Sequence, residues 1–432
     1  MNKHVKIQYG DEELVGILIQ ESPNVVLKLS SGYNLVLSKK KVKKIEVLPK
    51  SASDAKQSDA KQAPQVQTKP KTSKKVSILH TGGTIACKVD YTTGAVIAQF
   101  EPEELLQLYP ELGELAHFSC KVVTNCQSEM LRFPHYNLLA DGIMNEIKEG
   151  ADAIIITHGT DTMHYSSAAI SFMMENLPVP VILVGSQRSS DRPSSDARIN
   201  LVCAIYFATH TKWNGVGICM HENKEDNTCV LLPGLRSRKM HTTRRDAFKA
   251  IGSEPIARID YDNKKIEYIT PLTEIETKGE FGVKKFNENL KVGIFKARNH
   301  MFADELLAYK KYDGLVLESF AIGHMPIHKI DKYTSENEKI FAAIKTLTKK
   351  MPVVATSQCI YGRMEMNVYT PGRELLEAGV LGNYADMTTE TAYIKLAWLL
   401  SNYSKEETSK LISKNLRGEI TTRTEGDYEH GF

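Results

Sequence analysis

Two kinds of hydrophobic patterning divide this chain. Up to Leu48 the apolar positions come as short runs broken by turn residues: Val5–Tyr9, Leu14–Ile19, Val25–Leu29, Leu35–Leu37 and Val42–Leu48. Four or five strands in under about 50 residues suggest a small SH3-like β-barrel over 1–50. From Pro49 to Lys75 large apolar residues almost vanish, and Ser, Ala, Lys and Gln dominate. Such a stretch buries too little surface to fold, so 51–75 reads as a flexible linker. Beyond Val76, β-branched runs alternate with stretches of helical spacing. The pattern predicts strands at Val76–Leu79, Ile154–Ile156, Val181–Val184 and Val216–Met220, and helices at Pro134–Glu149, Met163–Asn176 and Ser195–His210. A βα series of this kind implies a parallel sheet covered on both faces. The rhythm lapses in the charged, turn-rich stretch Asp262–Asn289. It resumes with strands at Lys291–Phe295, Leu315–Glu318 and Pro352–Thr356, and helices at Ala303–Lys310, Glu336–Lys349 and Thr389–Ser401. The fold class is therefore α/β. A first lobe spans 76–275, a connector 276–290 and a smaller lobe 291–416, with a loose tail over 417–432.

Composition narrows the function classes. The 432 residues are 42% hydrophobic and 25% charged, which is ordinary for a globular protein, and the formal net charge is only +3. That balance gives no chain-wide electrostatic case for nucleic acid. The local exception is Lys39-Lys40-Lys41 with Lys43-Lys44. It reads first as a solvated edge strand guarded by lysines and second as an RNA-backbone contact. No run approaches the roughly 18 apolar residues of a membrane span. No apolar stretch follows Met1–Lys6, so no secretory signal is expected. The seven cysteines are odd in number and without Cys-x-x-Cys pairing, which suits reduced thiols in the cytoplasm.

Candidate chemistry gathers at two strand-to-helix corners. The run Ile154–Ile156 ends in Thr157-His158-Gly159-Thr160-Asp161-Thr162, and Val76–Leu79 ends in His80-Thr81-Gly82-Gly83-Thr84. In α/β sheets, side chains and free N–H groups at the carboxyl ends of strands face the ligand crevice. A lone Thr-Asp is usually a helix cap, but a second Gly-Thr corner on the same sheet makes the pair more specific. No Gly-Lys-Ser/Thr follows Gly83 and the three-glycine dinucleotide fingerprint is absent, so neither corner is a nucleotide loop. His221-Glu222 lacks the second histidine of a zinc protease, and no other spacing suggests a metal.

The segments Thr81–Ala86 and Thr157–Thr162 resemble the two signatures of bacterial-type L-asparaginases and glutaminase-asparaginases, and the likeness extends from about Val76 to Ser401. Further matches are Gly185-Ser186-Gln187-Arg188, Thr356-Ser357-Gln358-Cys359 and Ala385-Asp386-Met387-Thr388. The resemblance implies that Thr84 and Thr160 are catalytic threonines, with Asp161 and Lys239 as partners of Thr160. It makes Tyr91 the tyrosine of a closing loop, Ile85–Gly94, that serves Thr84. It also makes Gln127-Ser128 the substrate clamp, although the family more often has Ser where Gln127 stands. Ser128 would hold an α-carboxylate and Asp161 an α-ammonium. A threonine hydroxyl needs a base before it attacks. Lys239 is a base only if burial disfavours its charge, whereas Asp161 favours that charge, so a relay through Thr160 is an alternative. His158 is weighed as a base and set below packing or hydrogen bonding. The chemistry that fits is acyl transfer from a carboxamide with release of ammonia.

The small barrel, linker and asparaginase-like body together are similar to one branch of the family, the D subunits of archaeal glutamyl-tRNA(Gln) amidotransferases. That similarity implies a glutaminase-type component. Its ammonia, from glutamine or asparagine, passes to the amidotransferase's E subunit, a partner acting on misacylated tRNA(Gln). ATP and Mg²⁺ are used by that partner, with no cofactor in this chain, and a homodimer within a heterotetramer is implied. Two other readings stay open, a stand-alone cytoplasmic asparaginase and a non-catalytic tRNA-binding scaffold. The presence of all five candidate catalytic residues disfavours the last.

Overall fold

The computed structural model describes residues 3–9, 12–21, 25–29, 34–37, 39, 42–48, 73–83, 85, 87–89, 96–98, 109–188, 194–271 and 279–423. Most of the linker (51–72), Thr84, Tyr91 and the last nine residues of the tail, 424–432, lie outside them. So does most of the expected closing loop.

Five antiparallel strands open the chain: β1 (Lys3–Tyr9), β2 (Glu12–Gln20), β3 (Val25–Leu29), β4 (Asn34–Leu37) and β5 (Val42–Val47). Their order is β4-β3-β2-β1-β5, so the last strand returns to pair with the first. Val5, Ile7, Leu18, Val25, Leu27 and Leu37 form its core, and the partly buried residues around it also come from these strands. A single flat sheet cannot bury one face without a second layer. The curl toward a barrel supplies it. Lys44, from the basic cluster, pairs with Glu46 at 3.1 Å on the exposed face.

The body begins with β6 (Lys75–His80), a short hairpin of β7 (Cys87–Val89) and β8 (Val96–Ala98), and β9 (His117–Val122). It continues with α1 (Phe133–Lys148), β10 (Ala153–Thr157), α2 (Met163–Met173), β11 (Met174–Glu175), β12 (Val181–Val184), α3 (Ala197–His210) and β13 (Val216–His221). The strands β14 (Thr228–Pro233), β15 (Ser237–Lys239), β16 (Phe248–Ala250), β17 (Ala257–Asp260) and β18 (Lys265–Tyr268) complete the first lobe. The eight-stranded sheet runs β18-β17-β14-β13-β12-β10-β6-β9. It is parallel from β9 to β13 and antiparallel from β13 to β18. The fully parallel sheet expected from the βα rhythm is thus a mixed one, because the chain doubles back by hairpins after His221. One of those hairpin strands, β18, lies in the stretch Asp262–Asn289 that shows no regular pattern.

The second lobe follows β19 (Gly282–Val283), which pairs with β11. It has β20 (Val292–Lys296), α4 (Ala303–Leu307), β21 (Gly314–Ser319), α5 (Glu336–Thr348) and β22 (Val353–Ser357). Then come α6 (Thr370–Glu377), α7 (Thr389–Asn402) and α8 (Lys405–Leu411). Strands β20, β21 and β22 form a parallel sheet. Two helices end earlier than their periodicity suggests. The helix from Met163 stops at Met173 because the next two residues join β19, and Asn176 takes a left-handed φ of 54°. The helix from Ala303 is α-helical only to Leu307 and tightens into a 3₁₀ turn.

One hydrophobic core joins the lobes. Phe172 of α2 stacks on Trp398 of α7 with ring centres 5.6 Å apart, and Val292, Val316 and Val354 of the second sheet pack into the same cluster. The tail does not come loose at Gly418. Glu419 is fully buried and pairs with Lys395, also fully buried, at 2.6 Å. Ile420 beside Glu419 is buried against Ala385, Met387 and Ala392, so apolar contact anchors the same segment.

Candidate active site

The crevice position follows from topology. From β6 the chain crosses to β9 on one side, and from β10 it crosses to β12 on the other. The carboxyl ends of β6 and β10 therefore flank a switch point, where an open α/β sheet leaves room for ligand. The two Gly-Thr corners stand there.

Backbone contacts lock the corners together. The Thr81 N–H and hydroxyl both donate to the Thr157 carbonyl, at 3.1 and 3.0 Å. Gly82 and Gly83 have φ of 113° and 85°. A Cβ on Gly83 would stand 2.5 Å from the Gly159 nitrogen, and one on Gly82 would stand 2.1 Å from the Cys126 carbonyl oxygen. Only glycine fits both the conformation and the space. Three segments, 82–83, 126–128 and 158–160, thus meet within van der Waals contact.

Onto this platform the β15–β16 hairpin delivers Lys239. Its ammonium donates to the Thr160 hydroxyl and to Asp161 Oδ1, each at 2.8 Å. The Lys239 side chain is 11% exposed and that of Asp161 68% exposed, so the carboxylate is open to solvent while the lysine is largely enclosed. Ser128 is buried against the same corner. Its carbonyl accepts from the Thr162 hydroxyl at 2.7 Å, and its own hydroxyl accepts from the Thr162 N–H at 3.4 Å. Among the described residues, that leaves the Ser128 hydroxyl proton available to donate. Gln127 is exposed at the lip. The structure thus gathers Thr160, Asp161, Lys239, Ser128 and Gln127. A cavity of about 580 Å³ opens beside Ser128 and Thr162, walled by Tyr136, Tyr165, Tyr312 and Tyr393.

Three histidines lie under the platform. His158 is fully buried, and its Nδ1–H donates to the Gly159 carbonyl at 2.6 Å, which makes Nε2 the bare nitrogen. Burial pushes its pKa down to about 4, and the Gly159 bond offsets this only in part. His80 shares a 2.7 Å hydrogen bond with the Thr157 hydroxyl and is likewise lowered to about 4, by burial and then by His158. His164 is lowered to about 3 by burial and by Arg238 and Lys239. A neutral, enclosed His158 tied to its neighbour's carbonyl shapes the corner and is not placed as a base. Among the described residues, no group of three or more His, Cys, Asp or Glu is arranged to hold a metal.

Residue-by-residue reading missed the ion pairs made by the two arginines that flank Lys239. Arg236 forks onto Asp386, with Nη1 and Nη2 donating at 3.3 and 3.0 Å, and Arg238 meets Glu390 at 2.9 Å. The signal was present as two arginines flanking Lys239 and as the run Ala385–Thr388, to which the resemblance attaches no role.

The chain is similar to known proteins along most of its length. The family models described as "Asparaginase, N-terminal" and "Glutaminase/Asparaginase C-terminal domain" match residues 75–273 and 291–412. A glutamyl-tRNA(Gln) amidotransferase D subunit from Methanococcus maripaludis is 41% identical over 403 residues, covering 92% of this chain and 91% of that relative. One from Pyrococcus furiosus is 38% identical over 434 residues, covering 97% and 94%. The thermostable L-asparaginase from Thermococcus kodakarensis superposes with a TM-score of 0.71 at 29% identity, covering 81% of this chain and all of its own. Family domains across the body and full-length likeness to these relatives lead to one conclusion: the chain belongs to the asparaginase family, in the branch formed by the D subunits of glutamyl-tRNA(Gln) amidotransferases.

Proposed function

We propose that the chain is the glutaminase-type subunit of a tRNA-dependent amidotransferase, releasing ammonia from the side-chain carboxamide of glutamine or asparagine. The observation that carries this reading is the Thr160–Lys239–Asp161 cluster at the switch point. Lys239, anchored by Asp161, is in position to exchange a proton with the Thr160 hydroxyl. A hydroxyl relieved of its proton attacks the amide carbon, the amide nitrogen leaves as ammonia, and water then frees the acid. Asp161 has acceptor capacity for both Lys239 and a substrate α-ammonium. Ser128 has a proton to offer an α-carboxylate, and Gln127 is its exposed neighbour in the chain. Thr84 as the second hydroxyl and Tyr91 as its helper rest on the resemblance. The N–H groups of the paired corners are suited to stabilise the oxyanion.

Coverage favours the amidotransferase over a stand-alone asparaginase. The two amidotransferase relatives account for 92% and 97% of this chain, whereas the asparaginase structure accounts for 81%, and both family matches begin after the β1–β5 module. In this reading the cytoplasmic E subunit receives the ammonia and uses ATP and Mg²⁺ to amidate Glu-tRNA(Gln). The chain itself needs no cofactor and pairs with its own copy inside a heterotetramer. Ammonia release measured for the chain alone, with partner, and with partner plus Glu-tRNA(Gln) tests it. A rise of about 5- to 150-fold in the full mixture is expected from ordinary coupling energies. Equal rates in all three would favour the stand-alone asparaginase.

A further inference from the structure

Lys239 sits on a three-residue strand outside the main sheet. Among the described residues the β15–β16 hairpin pairs only with itself, Lys239 opposite Phe248 and Ser237 opposite Ala250. Something else must fix the lysine to within the few tenths of an ångström that a 2.8 Å contact with Thr160 requires. The contacts of the neighbouring residues show what does. Side chains alternate along a strand, so Arg236 and Arg238 leave the face opposite Lys239, and both are met by the second lobe. The Leu235 carbonyl accepts from the Thr391 hydroxyl at 2.9 Å, Arg236 forks onto Asp386, and Arg238 pairs with Glu390. All three partners belong to the first turn of α7 or the residues just before it.

The C-terminal segment closes this arrangement. The Glu419 carbonyl accepts from Arg236 Nη1 at 2.8 Å, and the Gly252 carbonyl accepts from Nη2 at 2.8 Å. Thr421 donates its N–H to Asp386 Oδ1 at 3.1 Å and its hydroxyl to Oδ2 at 2.5 Å. The Glu419 carboxylate is in turn fixed by Lys395 and by the N–H groups of Leu416 and Arg417. Arg236 and Asp386 are 5% and 7% exposed at their side chains, so this is an enclosed fork, in which geometry is tightly specified. Burial alone would raise the Asp386 pKa, but the Arg236 guanidinium and the Thr421 hydroxyl outweigh it and hold the carboxylate ionised.

We infer that Arg236 and Arg238 are positioning residues for Lys239, and that the segment Glu419–Thr421 closes the interlobe clamp that holds them. The inference rests on the reading of Lys239 as the group that works on Thr160. It makes the catalytic corner of the first lobe depend on residues near the far end of the chain.

The test uses the full chain assembled with its partner and Glu-tRNA(Gln), assayed for ammonia release from glutamine. Thr421→Val and Glu390→Gln keep side-chain volume and spare the buried Arg236–Asp386 pair, and a urea unfolding curve establishes that each variant is folded under assay conditions. Each is measured in the native chain and on a Lys239→Met background. A positioning role lowers kcat by roughly 10- to 100-fold with KM changed less than about threefold. It also produces no further loss on the Lys239→Met background, where no ammonium remains to be misplaced. Unchanged kcat in both folded variants overturns the inference, and so do equal losses with and without Lys239. Full activity of Lys239→Met alone overturns instead the reading of the site on which the inference stands.

Discussion

Lys239 donates a 2.8 Å hydrogen bond to Thr160 across 79 residues of chain, and holds Asp161 at the same distance. Thr160→Ala removes the hydroxyl and Lys239→Met its proton partner while keeping much of the side-chain bulk. Each is expected to cut glutamine hydrolysis by roughly 10³-fold or more, and the double variant to fall little further, because residues that act as a unit are not additive. Initial rates of ammonia release check both statements. Additive losses would mean that the two groups act separately.

The contact between Gly83 and Gly159 yields a second expectation. Gly83→Ala places a methyl 2.5 Å from the Gly159 nitrogen at a φ of 85°. The corners must part or the backbone must strain, at a cost of about 1–3 kcal/mol in stability. Activity should drop roughly 10²-fold, since small displacements at a reacting centre weigh heavily. Urea denaturation together with a rate assay reads both effects. Native-like values would show that the corners do not touch in solution.

The buried histidines set an acid limit. His80 and His158 titrate near 4 in the folded chain and near 6.5 when unfolded. Between those values the unfolded state binds more protons, so stability rises with pH and is lost as pH falls from 6.5 toward 4. The loss is on the order of 3 kcal/mol for each histidine by about pH 4. Urea midpoints from about pH 7 to pH 4 should fall over this window, and His80→Gln should make the fall shallower. A flat profile would contradict the assignment.

Removing one member of the buried Lys395–Glu419 pair should be worse than removing both. Lys395→Met strands a carboxylate that has no exposure, at a cost of about 3–5 kcal/mol. Adding Glu419→Gln should return a substantial part of that stability. Equilibrium unfolding of the two variants decides the order.

Much of this was legible in the chain, for physical reasons. The strand ending at Thr157 announces itself by three consecutive isoleucines, which set Thr160 and Asp161 at its carboxyl end, while their role came from the second corner and the resemblance. Lys239 has no such frame, because a three-residue strand has no periodicity, and only the resemblance pointed to it. The antiparallel extension from Thr228 is a short apolar run that local pattern cannot orient. Charges carry no address in a sequence, so nothing near Arg236 names Asp386, 150 residues away, as its partner. The anchored tail was hidden for a similar reason. Glu419 follows a glycine in a polar segment, and its counterion Lys395 lies within the apolar run of α7, where a lysine beside Ile394, Leu396 and Trp398 was the overlooked sign.

Translation runs from the amino end, and this sets an order on how the molecule can come into being. The stacking of Phe172 on Trp398 means that α2 emerges from the ribosome long before the helix that covers it. Until α7 has cleared the exit tunnel, the first lobe carries an open apolar flank, a state in which nascent chains are prone to associate wrongly and attract chaperones. A stop codon anywhere before Thr389 would leave that flank permanently bare. Such a product is expected in the insoluble fraction, with no half-active enzyme in the supernatant.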